Sequence, residues 1–123
     1  MNYLDKNITV VGVSHQPHKF GYRIFSDLIS AGYKVSGVNP RGIEVLGYKM
    51  FKNLKEVTPV PEFVITVVPP SVTEQVVEDC KLIGVKEIWM QPGSESEAAI
   101  KKAEAAGIKV TFGACFMVAA GEW

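Results

Sequence analysis

The stretch TVVGVSHQPHKFGYRI, residues 9–24, decides the fold class, because a buried strand, a glycine turn and a helix follow one another in it. The β-branched run before Gly12 is typical of a strand covered on both faces. Gly12 stands where a dinucleotide-binding fold places the first glycine of a G-x-G-x-x-G turn. Ser14 and Pro17 replace the second and third glycines, and the next glycine is Gly21. The stretch predicts a strand–turn–helix unit whose altered turn suits a different ligand.

The length and composition of the chain limit the classes of fold and function that it can have. The chain has 123 residues, which predicts one domain spanning 1–123 with a single core. Its 13 basic and 13 acidic residues cancel, so the basic surplus typical of nucleic-acid binding is missing. The apolar runs are too short to span a membrane, and the N-terminal residues do not resemble a secretory signal. Cys80 and Cys115 lie far apart, which favours reduced thiols and a cytoplasmic protein.

Strands and helices alternate along the whole sequence. A glycine that ends a helix precedes several strands, and Gly32 is the first of these. Strands are predicted over 8–13, 34–40, 63–68, 86–91 and 108–112, with a short edge strand over 46–51. This order predicts an α/β fold that is Rossmann-like and doubly wound, with a mainly parallel sheet of about five strands and helices on both faces.

Helix boundaries are predicted from capping residues. The first helix runs over 21–31. Ser71 with Glu74 forms a capping-box pattern that predicts the start of a helix reaching about Leu82. Ser94 or Ser96 is expected to cap a third helix, which ends at Ala106.

A fold of this kind binds ligands at the carboxyl ends of its strands. After the first strand, Gly12 permits close approach, Ser14 offers a hydroxyl, and Lys19 offers a charge suited to phosphate. The next helix begins near Phe20 or Gly21 and adds free N–H groups. These features predict an anion site, with an ordinary structural loop as an equal alternative.

The second strand ends without an acid, which argues against NAD because its ribose normally meets an Asp or Glu there. Asn39 is a candidate for bonding a sugar or base, and Arg41 for meeting a phosphate. The alternative interpretation is that Asn39 and Pro40 simply form a turn.

The third and fourth strands end in Val67-Val68-Pro69-Pro70 and in Gln91-Pro92-Gly93. Consecutive prolines give a rigid apolar wall suited to an adenine ring or an alkyl arm, although they also commonly stop a strand. Gln91 supplies an amide and Gly93 permits close approach. Trp89 is expected to lie in the core.

No catalytic or metal-binding constellation emerges. His15 and His18 share one loop with no acid nearby, so neither has an orienting partner. Two histidines without further ligands make a poor metal site. Glu97 and Lys101 have the spacing of a solvated helix pair.

Taken together, the strand ends resemble a known family. The motifs are G-V-S-x-x-P-x-K-F-G-Y (12–22), G-Y-x-V-x-x-V-N-P-R (32–41), G-Y-K-M-F-x-N-L-K-E-V (47–57), V-V-P-P (67–70) and W-M-Q-P-G (89–93). They resemble the CoA-binding domain family, which is similar to the N-terminal domain of the succinyl-CoA synthetase alpha subunit.

The resemblance implies coenzyme A as the ligand and assigns regions to it. The diphosphate would lie among Gly12, Ser14, Lys19, Phe20 and Gly21. The nucleotide end would meet Asn39, Pro40 and Arg41. The adenosine or pantetheine path would be lined by Val68, Pro69, Pro70 and Thr73, with Gln91 and Gly93 nearer the pantetheine.

The synthetase relatives work through a phosphorylated histidine in a second domain, whereas no histidine follows His18 here. We therefore expect a stand-alone CoA or acyl-CoA binding protein without catalytic machinery of its own. The alternatives are an NAD(P)-binding oxidoreductase or sensor domain, and a non-catalytic subunit of an acyl-CoA synthetase with protein partners. Cys115 follows the fifth strand on the same edge, where the thiol end of CoA would meet it; the alternative is a small buried side chain with an inert thiol.

Overall fold

A computed structural model describes residues 2–123, which form seven strands and four α-helices. The strands are β1 (Asn7–Val11), β2 (Lys34–Val38), β3 (Glu44–Val45), β4 (Tyr48–Lys49), β5 (Phe63–Thr66), β6 (Glu87–Met90) and β7 (Lys109–Thr111). The helices are α1 (Phe20–Ser30), α2 (Pro70–Ile83), α3 (Glu97–Ala105) and α4 (Phe116–Ala119), and a 3-10 turn spans Leu54–Glu56. None of these helices has the length and apolar character needed to cross a bilayer.

The central sheet has the strand order β2-β1-β5-β6-β7, and every pairing in it is parallel. The predicted parallel sheet of about five strands is therefore confirmed. β1 pairs with β2 on one side and with β5 on the other, so the direction of winding reverses between β1 and β5. In a sheet of this kind the reversal opens a crevice at the carboxyl ends of the two strands.

Each face of the sheet carries its own hydrophobic cluster, because alternate residues of every strand point to opposite faces. On one face α1 and α4 pack against β1, β5 and β6 around Phe25, Phe63 and Phe116. On the other face α2 and α3 cover the strands around Val64 and Ile88. The prediction of helices on both faces is confirmed.

Trp89 is buried in the first cluster, as expected, and its indole N–H donates to the Ala114 carbonyl at 2.9 Å. α1 ends at Ser30 with Ala31 as its C-cap, and Gly32 follows with φ +88°, as the glycine signal indicated. Glu97 and Lys101 form the expected exposed ion pair at 3.0 Å.

The start of α2 corrects the sequence prediction. The helix begins at Pro70 with Pro69 as its N-cap, so Ser71 already lies within it and no side chain caps it. Proline suits the first helical turn because its missing N–H has no partner there in any case. Ser96, rather than Ser94, caps α3 by accepting a hydrogen bond from the Ala99 N–H at 2.9 Å.

The segment between β2 and β5 is more elaborate than the single edge strand predicted over 46–51. It forms an antiparallel hairpin of β3 and β4, and the turn holds Leu46 at φ +53° and Gly47 at φ +82°. Phe51 then bridges back to Val38 in parallel. The hairpin and the following 3-10 turn bring Lys52 to Leu54 toward the carboxyl ends of the central strands.

Candidate functional site

The candidate site is the carboxyl edge, meaning the edge of the sheet where β1, β2, β5 and β6 end. Its centre is the contact between Gly12, just after β1, and Val67, just after β5. Gly12 has φ +109°, and an added Cβ would lie 2.8 Å from Val68 Cγ1 and 2.9 Å from the Val67 carbonyl carbon. Only glycine fits this backbone without strain.

The start of α1 rests on the same glycine. An added Cβ at Gly21 would lie 3.0 Å from the Gly12 carbonyl carbon and 3.3 Å from Val13 Cα, so the helix packs directly on the turn. Lys19 is the N-cap of α1 and makes no side-chain cap. The first N–H groups of an 11-residue helix therefore remain available beside the crevice.

The loop between Gly12 and α1 is mostly exposed. Ser14 is half-buried, and its hydroxyl accepts a hydrogen bond from the Gln16 N–H at 3.0 Å. His15, His18 and Lys19 are exposed. The Lys19 ammonium takes part in no ion pair among residues 2–123, so it is free to meet an anion.

Asn39 joins the end of β2 to this loop. Its Nδ2 donates to the Val13 carbonyl at 2.8 Å, and its Oδ1 accepts from the Arg41 N–H at 2.9 Å. The turn that the sequence offered as the alternative role of Asn39 and Pro40 is therefore present. Both ends of the amide are occupied in this way, and the neighbouring Arg41 side chain is exposed.

A cavity of about 150 Å³, the α2 cavity, opens on one side of Gly12. Its surface is almost wholly apolar, and α2 forms one wall of it. The lining residues are Val11, Gly12, Val38, Pro40, Lys52, Asn53, Leu54, Val68, Val72, Gln75, Val76 and Asp79. Whole drug-sized ligands occupy roughly 300–1,000 Å³, so this cavity is on the scale of one ring system.

A second cavity of about 140 Å³, the Cys115 cavity, lies on the other side of the Gly12–Val67 contact. It is lined by Phe20, Val67, Gln91, Pro92 and Cys115. An open depression next to it is lined by Val67, Val68, Pro69, Pro92, Gly93 and Ser94. The depression shares Val68 with the α2 cavity and shares Val67 and Pro92 with the Cys115 cavity, so it lies between the two.

Gln91 organises the Cys115 cavity. Its side chain is buried, its Oε1 accepts from the Phe116 N–H at 2.7 Å, and its Nε2 donates to Cys115 Sγ at 3.4 Å. One amide thus fixes both the first turn of α4 and the thiol. Cys115 is half-buried and free, whereas burial, with the nearby Asp79 charge, raises the pKa of the Cys80 thiol to about 12.

Phe20 forms an exposed wall of the Cys115 cavity, with 59% of its surface accessible. Arg23 stands between this ring and Trp123, at 5.4 Å and 4.5 Å from the two ring centroids. Trp123 in turn donates its indole N–H to Asp27 at 2.6 Å. Cation–π contacts therefore hold an aromatic ring at the surface, beside the crevice.

Thr73 is fully buried in α2, and its hydroxyl has no hydrogen-bond partner among residues 2–123. Pro70 is exposed at the start of the same helix, and Gly93 is exposed with φ +93°. No three His, Cys, Asp or Glu side chains within 2–123 are grouped so as to hold a metal ion.

Two wider depressions, of about 450 and 240 Å³, lie at the opposite edge of the sheet. They border the amino ends of the strands, near Lys6 and Lys109 in one and Asn7 and Lys34 in the other. Parallel sheets of this type bind ligands at the carboxyl ends of their strands, so the α2 cavity and the Cys115 cavity are the candidate binding sites.

Residues 6–121 match the family model described as CoA binding domain. The chain belongs to the CoA-binding domain family. It is 38% identical over 87 residues to the alpha subunit of ADP-forming acetate–CoA ligase I from Pyrococcus furiosus, a match that covers 66% of this chain and 19% of that subunit. The chain therefore spans about a fifth of the length of this curated relative.

Two further relatives are matched over most of their length. The uncharacterized protein YneT of Bacillus subtilis is 30% identical over 119 residues, which cover 93% of this chain and 84% of YneT. A solved structure of a conserved hypothetical protein from Pyrococcus furiosus has a TM-score of 0.88 and 38% identity, covering 93% of this chain and 98% of that one. The Rossmann-like fold predicted from the sequence is thus shared with solved relatives.

In this CoA-binding domain, the predicted residues gather along one edge but differ in accessibility. Gly12, Phe20, Pro40, Val68, Pro69, Gln91 and Gly93 line the cavities or the open depression. Sequence reasoning missed Lys52, Gln75 and Asp79. The signal for the last two is the spacing of Val72, Gln75, Val76 and Asp79, which places them on one helix face.

Proposed function

We propose that this chain binds CoA or an acyl-CoA along the carboxyl edge and has no catalytic machinery of its own. The observation that carries the proposal is the order of environments along the edge: an apolar cavity, then a glycine turn under a helix N-terminus, then a second apolar cavity. CoA presents the same order, with an adenine, a charged diphosphate and a pantetheine arm.

The charges around the edge support this assignment. Lys19 precedes the helix N-terminus, while Arg41 and Lys52 stand on the side of the α2 cavity, and all three side chains are exposed. The chain has no net charge, so this local set attracts phosphates without making the whole surface basic. Lysine and arginine suit phosphate as a point charge and as a planar fork, respectively.

The same edge disfavours NAD. The adenine ribose of NAD is normally held by a carboxylate after the second strand. Here the neutral amide of Asn39 occupies that position, and it is already bonded to the Val13 carbonyl and the Arg41 N–H. CoA carries its third phosphate on this ribose, which suits the cations Arg41 and Lys52 better than a carboxylate.

A second candidate function is a non-catalytic subunit of an acyl-CoA synthetase. It is favoured by the similarity to an acetate–CoA ligase alpha subunit. In that case the chain would hold CoA for a partner protein that supplies the phosphorylated residue. Co-purification with a nucleotide-binding protein that forms acyl-CoA only when this chain is added would support it.

The proposal is tested by calorimetry and thermal shift with CoA, acetyl-CoA, NAD and NADP. We expect CoA or acetyl-CoA to stabilise the fold most, since a ligand at 100 times its Kd adds about 2.7 kcal/mol. Native mass spectrometry of the purified protein would show whether it retains such a ligand. Equal or larger stabilisation by NAD contradicts the proposal.

A further inference from the structure

The α2 cavity has a mostly apolar surface and contains one carboxylate. Asp79 is 6% exposed and lines the cavity together with Val72 and Val76 from the same helix face. Burying a charged group costs free energy unless hydrogen bonds compensate it. A carboxylate at this position therefore needs an explanation that packing does not supply.

Asp79 is only partly satisfied by the protein. Gln75 Nε2 donates to its Oδ1 at 3.2 Å, the one hydrogen bond to this side chain within residues 2–123. In the same part of the chain, no lysine or arginine nitrogen lies within 4 Å of it. An ionised carboxyl group offers about four lone-pair sites, so Asp79 keeps unused acceptor capacity at the cavity.

The other polar groups of the cavity have different partners. Asn53 accepts from the Glu56 N–H at 3.2 Å and donates to the Glu56 carboxylate at 3.0 Å, which commits both ends of its amide. Lys52 is exposed and lies beside Gly42, where an added Cβ would be 3.1 Å from Lys52 Cε. Gln75 is exposed and donates to Asp79, so the buried polar side chain that lines the cavity is the acceptor Asp79.

We propose that Asp79 selects the base of the bound nucleotide by accepting a hydrogen bond from the exocyclic amine of adenine. This inference rests on the proposed function, in which the α2 cavity receives the base of CoA. Adenine presents an amine at its sixth position, whereas hypoxanthine and guanine present a carbonyl oxygen there. A carbonyl oxygen facing Asp79 would leave two acceptors opposed and unpaired.

The test compares CoA with its hypoxanthine analogue, in which a carbonyl oxygen replaces that amine and the adjacent ring nitrogen gains a hydrogen. We expect wild-type protein to bind CoA about 10- to 100-fold more tightly, the range for losing a hydrogen bond to a charged group. In Asp79→Asn the amide presents either an acceptor or a donor, so we expect the two affinities to become equal or to reverse.

Glu78→Gln is the matched control, because it removes one carboxylate from the adjacent position of α2. The Glu78 carboxylate pairs with Lys81 and Lys102 at the surface, and Glu78 does not line the cavity. We expect its CoA-to-analogue ratio to equal that of the wild type. Equal wild-type affinities for the two ligands overturn the inference, as does an Asp79→Asn variant that weakens both by the same factor.

The same measurement with ADP and IDP separates this inference from the proposed function. If CoA itself fails to bind, the proposed function falls, and the ADP-to-IDP ratio still reports on Asp79. A preference for ADP that is lost in Asp79→Asn supports base selection. Equal affinities, or no binding of either nucleotide, overturn it. The wild-type comparison needs no variant, so it stands even where Asp79→Asn folds poorly.

Discussion

Replacing Gly12 by alanine tests the geometry at the centre of the carboxyl edge. Gly12 has φ +109°, and a new Cβ would lie 2.8 Å from Val68 Cγ1 and 2.9 Å from the Val67 carbonyl carbon. A sparsely populated backbone conformation costs about 1–3 kcal/mol, and overpacking costs about 1–3 kcal/mol more. We expect Gly12→Ala to lower the free energy of unfolding by about 2–6 kcal/mol and Tm by on the order of 10 °C.

Urea unfolding followed by circular dichroism measures this loss, and Gly32→Ala is its control. Gly32 also has a positive φ, +88°, but an added Cβ meets nothing within 4 Å. It therefore isolates the backbone cost, which is about 1–2 kcal/mol for a side chain in the left-handed region. If Gly12→Ala is no more destabilising than Gly32→Ala, the close packing of the two loops does not contribute as argued.

Three further results are expected. Lys19→Ala should weaken CoA binding about 10-fold or more at low salt, with less effect at high salt. Lys34→Ala, at the opposite edge of the sheet, is the control and should leave the affinity for CoA unchanged. If the two variants change this affinity equally, Lys19 does not belong to the site. Oxidised CoA should form a mixed disulfide with Cys115, because the cysteine thiolate attacks the S–S bond and releases one CoA thiol. Mass spectrometry should find this adduct on Cys115 and should find the buried Cys80 unmodified. Burial and the neighbouring Glu87 carboxylate raise the pKa of Tyr3 from 10.0 to about 12. The neutral tyrosine therefore stabilises the fold below pH 10.0, and this stabilisation is lost as the pH rises through about 12. In unfolding experiments across this pH range, Tyr3→Phe should show a smaller loss of stability.

The order of strands and helices was predictable because each strand of the central sheet is a short run with β-branched or aromatic residues, and a glycine or proline follows within three residues. The hairpin of β3 and β4 was not, because two-residue strands carry no periodic signal and Leu46 gives no sign of its φ of +53°. The capping box at Ser71 was wrong because Pro70 occupies the helix start first. α4 has four residues, too few for helical periodicity to appear.

The site was predictable where a strand ends, since the sheet brings those ends together whatever the loops do. Gly12, Val68 and Gln91 were found in this way, and each lines a cavity. Asp79 and Lys52 were not, because one belongs to the third turn of a helix and the other to an irregular segment. The spacing of Val72, Val76 and Asp79 places them on one helix face, but tertiary packing decides that this face and Lys52 border the edge.

The α2 cavity and the Cys115 cavity are lined by residues of different hydrophobic clusters, one on each face of the sheet. The α2 cavity is built from Val11, Leu54 and Val76 of one hydrophobic cluster, while Val67 and Cys115 pack against the other. Distant sites without shared partners contribute nearly additively to stability. Gly12 of the α2 cavity contacts Val67 of the Cys115 cavity, so substitutions away from this contact should change recognition at one end of the proposed ligand with little effect at the other. This arrangement makes the fold evolvable: lineages could exchange one half of the ligand chemistry while retaining the other.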